Sequence, residues 1–573
     1  MYEWDLGEFF ASQDDANGFC DELESKSTNF KQQYEKQLYA LSQEKFDEAI
    51  AEYEILNESA AKVLSYAHLM FSKDTSKGAI LAHFEDRVTK IEENLLFFML
   101  EFNALPKQKQ EDLIEQTKGY EYYLSNSAKQ KKYELSLSEE RILLRTANTG
   151  ANAFSRLFDE SMARMRFDYR GHSLSEELVL AKLSSPKRDE RKDAALSLSK
   201  GLESNLHLLT YILNIIRADL RNERELRGYE YPQSARDLSN QISKQSVDAL
   251  IEASEASFDL PIKYYAKKRE ILGFEELYDY DRYAPLSDDD EYFSFEDAKQ
   301  IVLNAFYDFD DEFGKIAEHG LKHGWCDVMP ATNKVNGAFS HSSVSSLHPF
   351  ILLNYTNKRR DIYTLAHELG HSIHQFLSYK AGYLSSHTPL TTAETASVFC
   401  EMLVFERIKD QANNNTKRAI IGAKLEDIFA TLYRQINFTT FEREIHAISG
   451  ELSSDELSEI WLKHSRKMFG DSLKLNEYYG IWWSYIPHFI HSPFYCYAYS
   501  YAQLLVLAIY GLYKSGELAD FNGVYTEFLS LGGSKSPKDM VAMFGFDIES
   551  KDFWQIGINE IKKLVDEFME LRG

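Results

Sequence analysis

Apolar residues recur at three- and four-residue intervals through most of this chain, the pattern of helices that bury one face. Over residues 1 to about 105 these helices carry a polar outer side, and Phe46-Asp-Glu-Ala-Ile-Ala-Glu-Tyr-Glu-Ile55 shows the spacing clearly. Lys107–Lys132 is dense in Lys, Gln and Glu and reads as a solvated helix or connector. A second helical block is predicted from Leu135 to about Lys200, and Gly228-Tyr-Glu-Tyr-Pro232 is predicted to turn between helices. The texture changes from Met329 to Thr356, where Pro330, Gly337 and other small residues precede Phe350-Ile-Leu-Leu-Asn-Tyr355. That run is the strongest strand candidate, so a small sheet is expected within a mainly helical protein. Beyond Asp361 helical spacing resumes and persists to the end. No repeat of fixed period and no low-complexity segment interrupts it.

Composition supports this picture. The chain has 573 residues but only 11 prolines, the first at Pro106, which leaves long stretches free to be helical. That length exceeds what one core fills, so two or more lobes are expected. A net charge of −26 disfavours binding to nucleic acid or to an anionic membrane surface. It serves solubility, or more sharply a weak preference for cationic substrates. Met1–Phe10 carries Glu3, Asp5 and Glu8 without a basic region, so no secretory signal is expected, and no apolar run of membrane-spanning length follows. Cys20, Cys326, Cys400 and Cys496 form no CxxC pair and are expected to be reduced core residues, which points to the cytoplasm. The acidic run Asp288–Glu291 reads as a loop or helix start, without the ligand spacing of a calcium loop.

The chemistry concentrates in Asp361-Ile-Tyr-Thr-Leu-Ala-His-Glu-Leu-Gly-His-Ser-Ile-His-Gln-Phe376. Ile362, Leu365, Ala366, Leu369, Ile373 and Phe376 define a buried stripe, Asp361 is placed to cap the start, and Gly382 to end the helix. His367 and His371 then lie one turn apart on the same face, where both imidazoles can reach one zinc ion. Glu368 sits beside them, able to address a water without binding the metal. A third ligand is needed. The metzincin pattern is excluded, because His374 and Leu377 stand where it requires Gly and His. A carboxylate from a following helix is the other common solution, and Thr391-Thr-Ala-Glu394 offers one. The same four residues fit a capping box, in which Glu394 only satisfies a backbone N–H, so spacing leaves both readings open. Glu401, seven residues on, is an alternative ligand or a supporting residue behind the ligands. His374 is expected to be an exposed or hydrogen-bonded surface residue.

Farther on lies Ile486-Pro-His-Phe-Ile-His-Ser-Pro-Phe-Tyr-Cys-Tyr-Ala-Tyr-Ser-Tyr-Ala-Gln503. Ser492 and Pro493 are predicted to start a helix on which Tyr495 and Tyr499 share a face. Most of these aromatics are expected to pack a core.

Taken together with Asn148-Thr-Gly-Ala-Asn-Ala-Phe-Ser-Arg-Leu-Phe158, Leu226–Pro232, Ser346-Leu-His-Pro-Phe350, Pro389–Phe399 and Leu531-Gly-Gly-Ser-Lys-Ser-Pro537, these motifs resemble oligoendopeptidase F, a branch of the thimet oligopeptidase family of zinc metallopeptidases. The resemblance covers most of the chain. It implies a mainly α fold with two helical lobes around a deep channel and a small sheet beside the metal helix. It also implies one zinc ion on His367, His371 and Glu394, with Glu368 as general base. His488, or less well His491, would join Tyr495 and Tyr499 at the oxyanion, while Gly337 and Ala338 would border the substrate. The implied regions are an N-terminal lobe segment at 1–110, a helical oligopeptidase region at 111–195 and a catalytic region at 196–573. The implied activity is endopeptidase cleavage of short unfolded peptides. An aminopeptidase of related type would carry Gly-x-Met-Glu-Asn where this chain has Gly337-Ala-Phe-Ser, whereas a carboxypeptidase, or a peptide-binding scaffold with incidental histidines, remains a rival.

Overall fold

The structure, a computed structural model, describes residues 2–147, 149–286 and 291–571. Asn148 and most of the acidic run at Asp288–Glu291 lie outside the described residues. The chain divides into two compact units, each assembled from three separate stretches. The first comprises 1–132, 290–408 and 516–545; the second comprises 133–289, 409–515 and 546–573.

The first unit opens with the helices Gln13–Tyr34, Gln43–Lys73 and Gly78–Leu95, as their apolar spacing predicts. Ser12 and Ser42 cap the first two by accepting from the N–H groups of Asp15 and Lys45. Phe46, Ala49, Ile50, Val63 and Phe84 are fully buried between them. The expected sheet is present. Strands β3 (Cys326–Asp327), β4 (Phe339–His341) and β5 (Phe350–Leu352) stand in the order β3-β5-β4, with β4 antiparallel to β5 and β3 parallel to it. The strand candidate at Phe350–Tyr355 thus pairs over its first three residues. Trp4 and Phe9 from the N-terminal segment pack on Phe350, with ring centres 5.9 and 5.0 Å away. Against the other side of this sheet lies the helix Arg359–Ser378, joined to β4 by a reciprocal pair of hydrogen bonds between Ser340 and Gln375.

The second unit buries Trp461, Trp482 and Trp554, and among its described residues the regular structure is helical apart from one hairpin and an isolated bridge between Tyr278 and Lys474. The helix Tyr497–Ser515, buried over most of its length, packs along Lys551–Glu570. Close approach there depends on Gly557, where a Cβ would come within 2.7 Å of the Leu504 carbonyl. The hairpin corrects the expectation of unbroken helix from Leu135 to Lys200. Strands β1 (Phe167–Tyr169) and β2 (His172–Leu174) pair antiparallel across Arg170 and Gly171, both with positive φ. An arginine in that conformation gives no hairpin signal in sequence. Here it is held by ion pairs to Asp189 and Asp193 at 2.6 and 2.7 Å.

Candidate active site

The helix Arg359–Ser378 begins two residues before Asp361. Asp361 closes the start from the third helical position, accepting from the N–H groups of Thr356 and Lys358. Ile362, Leu365, Ala366, Leu369 and Ile373 are buried as the stripe predicts, but Phe376 is 39% exposed and Leu377 takes the inner position. The opposite face carries His367 and His371 into an open cleft of about 430 Å³, lined also by Glu368, His374 and Glu394. Gly382, at φ +82, follows a short 3-10 turn that finishes the helix.

Glu394 reaches this face through a backbone contact. Gly370 faces the helix Thr395–Gln411, and a Cβ on it would stand 2.7 Å from both the Ala396 carbonyl oxygen and the Ser397 Cα. Only glycine permits that approach, which sets Glu394 opposite the histidines. His371 Nε2 lies 3.1 Å from His367 Nε2, and Glu394 Oε2 lies 3.3 Å from His371 Nε2 and 3.4 Å from His367 Nε2. Ligands on one tetrahedral ion with bonds of about 2.0–2.1 Å stand roughly 3.3 Å apart, so the three donor atoms have the spacing of one face of a zinc site. Among the described residues they form the group of His, Cys, Asp and Glu donors close enough to share an ion.

Electrostatics agree with that fit. Burial opposes charge on His367. Its 2.6 Å hydrogen bond to Glu401, with the charges of Glu401, Glu394 and Glu368, outweighs burial and pushes the imidazole up to about 9. Burial likewise raises Glu394, yet the contact with His371, the charge of both imidazoles and the Ser397 hydroxyl hold it at about 2. The cluster favours a positive charge beside Nε2, which a metal ion would supply in place of a proton. Glu401 takes no part in the triangle and stands behind His367 at Nδ1, orienting the ring. Burial raises Glu368 above the ordinary carboxylate value, against the pull of both histidines, and its Oε2 is buried without a hydrogen-bond partner on the protein.

His374 corrects the surface placement expected from sequence. It is buried, and burial lowers it to about 4, against the pull of the Ala393 backbone and the charge of Glu394. Sequence reasoning also missed Gln375, Ser340, Ser397 and the wall formed by Ser386, His387 and Thr388. For Gln375 a signal existed, because it sits one turn beyond His371. The wall is seated on Gly532 and Gly533: the Gly533 N–H donates to Ser385 at 2.7 Å, and a Cβ there would meet the His387 carbonyl at 2.2 Å.

In the second unit, His488 begins a short helix, His488–His491, and Tyr499 lies on the helix Tyr497–Ser515. That helix starts later than Ser492–Pro493 predicted. Phe494 adopts φ +60 and breaks the run, so Tyr495 lies in a turn and not on the helix. The aromatic group still forms: His488 Nε2 is 3.2 Å from the Tyr499 hydroxyl, and the rings of Tyr495 and Tyr499 meet edge to face at 5.0 Å. His491 turns away to Asp159 at 2.8 Å. Tyr497 and Tyr501 are buried, as expected of core residues.

A mainly helical chain with a His-Glu-x-x-His helix, a glutamate closing the donor triangle and a small sheet alongside is a metallopeptidase. A sequence profile of peptidase family M3 matches residues 181–560, and one of oligopeptidase F matches residues 101–167. An oligoendopeptidase F homologue of Borreliella burgdorferi is 30% identical over 99% of this chain and 98% of its own length. The oligopeptidase PepF of Bacillus subtilis is 27% identical over 91% and 80%. Among solved structures, a Chlamydophila abortus protein superposes with TM-score 0.90 at 24% identity, covering 99% of this chain and 98% of that one. Oligoendopeptidase F of Enterococcus faecium gives 0.71 at 20%, covering 97% and 99%. The chain belongs to peptidase family M3, within its oligoendopeptidase F group.

Proposed function

We propose that this chain is a zinc-dependent endopeptidase that hydrolyses internal bonds of short unfolded peptides. The observation that carries the reading is the convergence of His367, His371 and Glu394 beside the unpartnered carboxylate oxygen of Glu368. One zinc ion held by this triad would lower the pKa of a water to about 7 and polarise the scissile carbonyl. Glu368, whose basicity burial has raised, takes the proton from the attacking water and returns it to the leaving nitrogen. Glu401 holds His367 in orientation throughout. His488, Tyr495 and Tyr499 donate to the carbonyl oxygen as it gains charge, a role supported by their grouping and by the engagement of His491 elsewhere. Burial keeps His488 below the ordinary imidazole value, so it is neutral and holds one N–H to give.

Gly337, at φ +85, and Ala338 lead into β4, the edge strand of the sheet, and Ala338, Phe339 and Ser340 line the cleft. An extended peptide can pair with the free edge of β4, which suits substrates without structure of their own. The names of the relatives, oligopeptidase and oligoendopeptidase, support the short-peptide class. Peptides are then the partners, and the net charge of −26 argues against nucleic acid and anionic membranes. No described helix is long and apolar enough to cross a membrane. The four cysteines are free and buried, which fits the reducing cytoplasm.

The test is digestion of peptides about 5–25 residues long with products read by mass spectrometry, repeated with a chelator and with Glu368→Gln. Internal cuts lost in both controls are expected. Single residues released from one end would replace the endopeptidase reading with an exopeptidase. Cleavage that survives Glu368→Gln would remove that residue from its role.

A further inference from the structure

Two stretches beside the metal cleft have too little regular structure to hold themselves in place. Residues 383–388, one helical turn and its exit, bring Ser386, His387 and Thr388 to the lining, and residues 342–345, which follow β4, bring Ser342. Backbone N–H groups in such stretches have no ladder to join and need acceptors from elsewhere in the chain. For both, the acceptor is a glutamate of the helix Gln43–Lys73. Glu54 Oε1 accepts from the Leu384 N–H at 3.0 Å. Glu58 Oε1 accepts from the N–H and the hydroxyl of Ser345 at 2.9 and 2.5 Å. At an i, i+4 interval the two carboxylates leave the same face of that helix, one turn apart. Glu54 is fixed in turn: the Tyr120 hydroxyl donates to its Oε2 at 2.5 Å, and a Cβ on Gly382 would stand 2.9 Å from its Oε1, room that glycine leaves open.

The stretch after β4 is held more tightly than a connecting loop requires. Ser343 is buried at φ +56, an uncommon conformation for a serine, and its N–H donates to His341 Nδ1 at 2.9 Å. The Tyr379 hydroxyl, just past the metal helix, donates to the Ser342 carbonyl. A residue other than glycine stays in that region of backbone space where its surroundings over-determine it, and such strain gathers where a segment is placed for a ligand. Burial raises the phenols of Tyr379 and Tyr383, and the charge of Glu58 adds to the rise, so this carboxylate stands near both stretches. Cleft, stretches and glutamates all belong to the first unit.

We propose that Glu54 and Glu58 are positioning residues for peptide hydrolysis, holding residues 383–388 and 342–345 at the separation that decides which substrate side chain the cleft admits. The inference rests on the peptidase reading and deepens it by naming residues away from the metal that govern the fit of the peptide. The donor triangle is set by the backbone contact at Gly370, so loss of either glutamate should change that fit and leave zinc in place.

The test sets Glu54→Ala and Glu58→Ala against Glu54→Gln and Glu58→Gln, which lose the charge but keep an oxygen for Leu384 or Ser345. Zinc content is measured for each, then KM, kcat and the profile of cleavage sites over a mixed set of peptides about 5–25 residues long. Each alanine variant is expected to raise KM about three- to tenfold, with kcat within about twofold and zinc unchanged, and to shift the profile toward bulkier residues beside the cut. The glutamine variants should keep KM within about twofold of wild type and restore its profile. Tyr120→Phe and Tyr379→Phe, which remove one hydroxyl and keep the ring, should move KM the same way by about two- to fivefold and keep the test decisive if an alanine variant does not fold. An unmoved KM and profile, or loss of zinc together with activity, would make the glutamates props of the fold and overturn the proposal. Anisotropy of labelled peptides from the same set, on the Glu368→Gln protein with and without each alanine, separates the inference from the reading beneath it. Cleavage with a KM that no substitution moves leaves the peptidase standing and removes the positioning role. Absence of cleavage by the wild type sinks the peptidase reading; binding that either alanine weakens then sustains the positioning role, while binding that neither changes, or no binding at all, overturns it.

Discussion

Single residues decide whether the donors meet. Gly370 lets two helices touch backbone to backbone, and an alanine there must displace the Ala396 carbonyl or the Ser397 Cα. Gly370→Ala is expected to cost about 1–3 kcal/mol of stability, as overpacking does, and to release metal as the Glu394 segment backs away. Denaturant melts and metal content check the two effects on one sample. Glu401 acts through His367: its carboxylate holds Nδ1 at 2.6 Å and adds negative charge behind the ring. Glu401→Gln keeps an acceptor but loses the charge, so zinc affinity should fall about 10–100-fold in competition with a chelator. An unchanged affinity would mean that Glu401 does not tune the ligand.

Among elements, the turn before the helix Tyr497–Ser515 presents Tyr495. A phenylalanine at φ +60 is strained by about 1–2 kcal/mol, and Phe494 is kept there by its N–H donating to Glu442 Oε1 at 2.8 Å. Glu442 is wholly buried, and burial pushes its carboxyl up to about 8, only partly countered by the Phe494 N–H and the charge of Arg236. In the unfolded chain the same group loses its proton near the ordinary 4.5. The stability that comes from keeping the proton is therefore full below pH 4.5 and is lost as pH rises toward 8. Glu442→Gln has no proton to lose. The melting temperature of the variant minus that of the wild type should climb by at least ~2 °C between pH 5 and pH 8.5. A flat difference across that range would show that Glu442 is not buried as a neutral acid.

For the molecule as a whole, charge is the property that acts at long range. With −26 on the chain, cationic peptides should be drawn in at low ionic strength and neutral ones should not. Raising salt from 0.02 to 0.3 M shortens the screening length from about 20 Å to under ~6 Å. The kcat/KM of a lysine-rich peptide should then fall several-fold while that of a neutral peptide stays within about twofold. Equal salt effects would confine the charge to keeping the protein soluble. Each compact unit is closed by chain that leaves and returns twice, so a substitution in 516–545 acts on the same unit as one in 290–408. Gly533 beside His387 is the local instance, with a turn far along the sequence seating the wall of the cleft.

What the sequence determined by itself was local. Helical spacing marked residues 1 to about 105 and the run from Asp361 as helical, and the four-residue interval put His367 and His371 on one face because the α-helix turns every 3.6 residues. The β-rich texture around Phe350 marked the sheet. Glu394 remained divided between ligand and cap, because a sequence interval measures distance along the chain and the donor triangle closes between the helix Arg359–Ser378 and the turn at Glu394. Only tertiary structure decided that Gly370 brings the two together, that Glu401 stands behind His367, and that His374 is buried. Arg170–Gly171 and Phe494 escaped for a related reason: ion pairs and a buried carboxylate from distant chain hold non-glycine residues at positive φ, and local propensity carries no record of such partners.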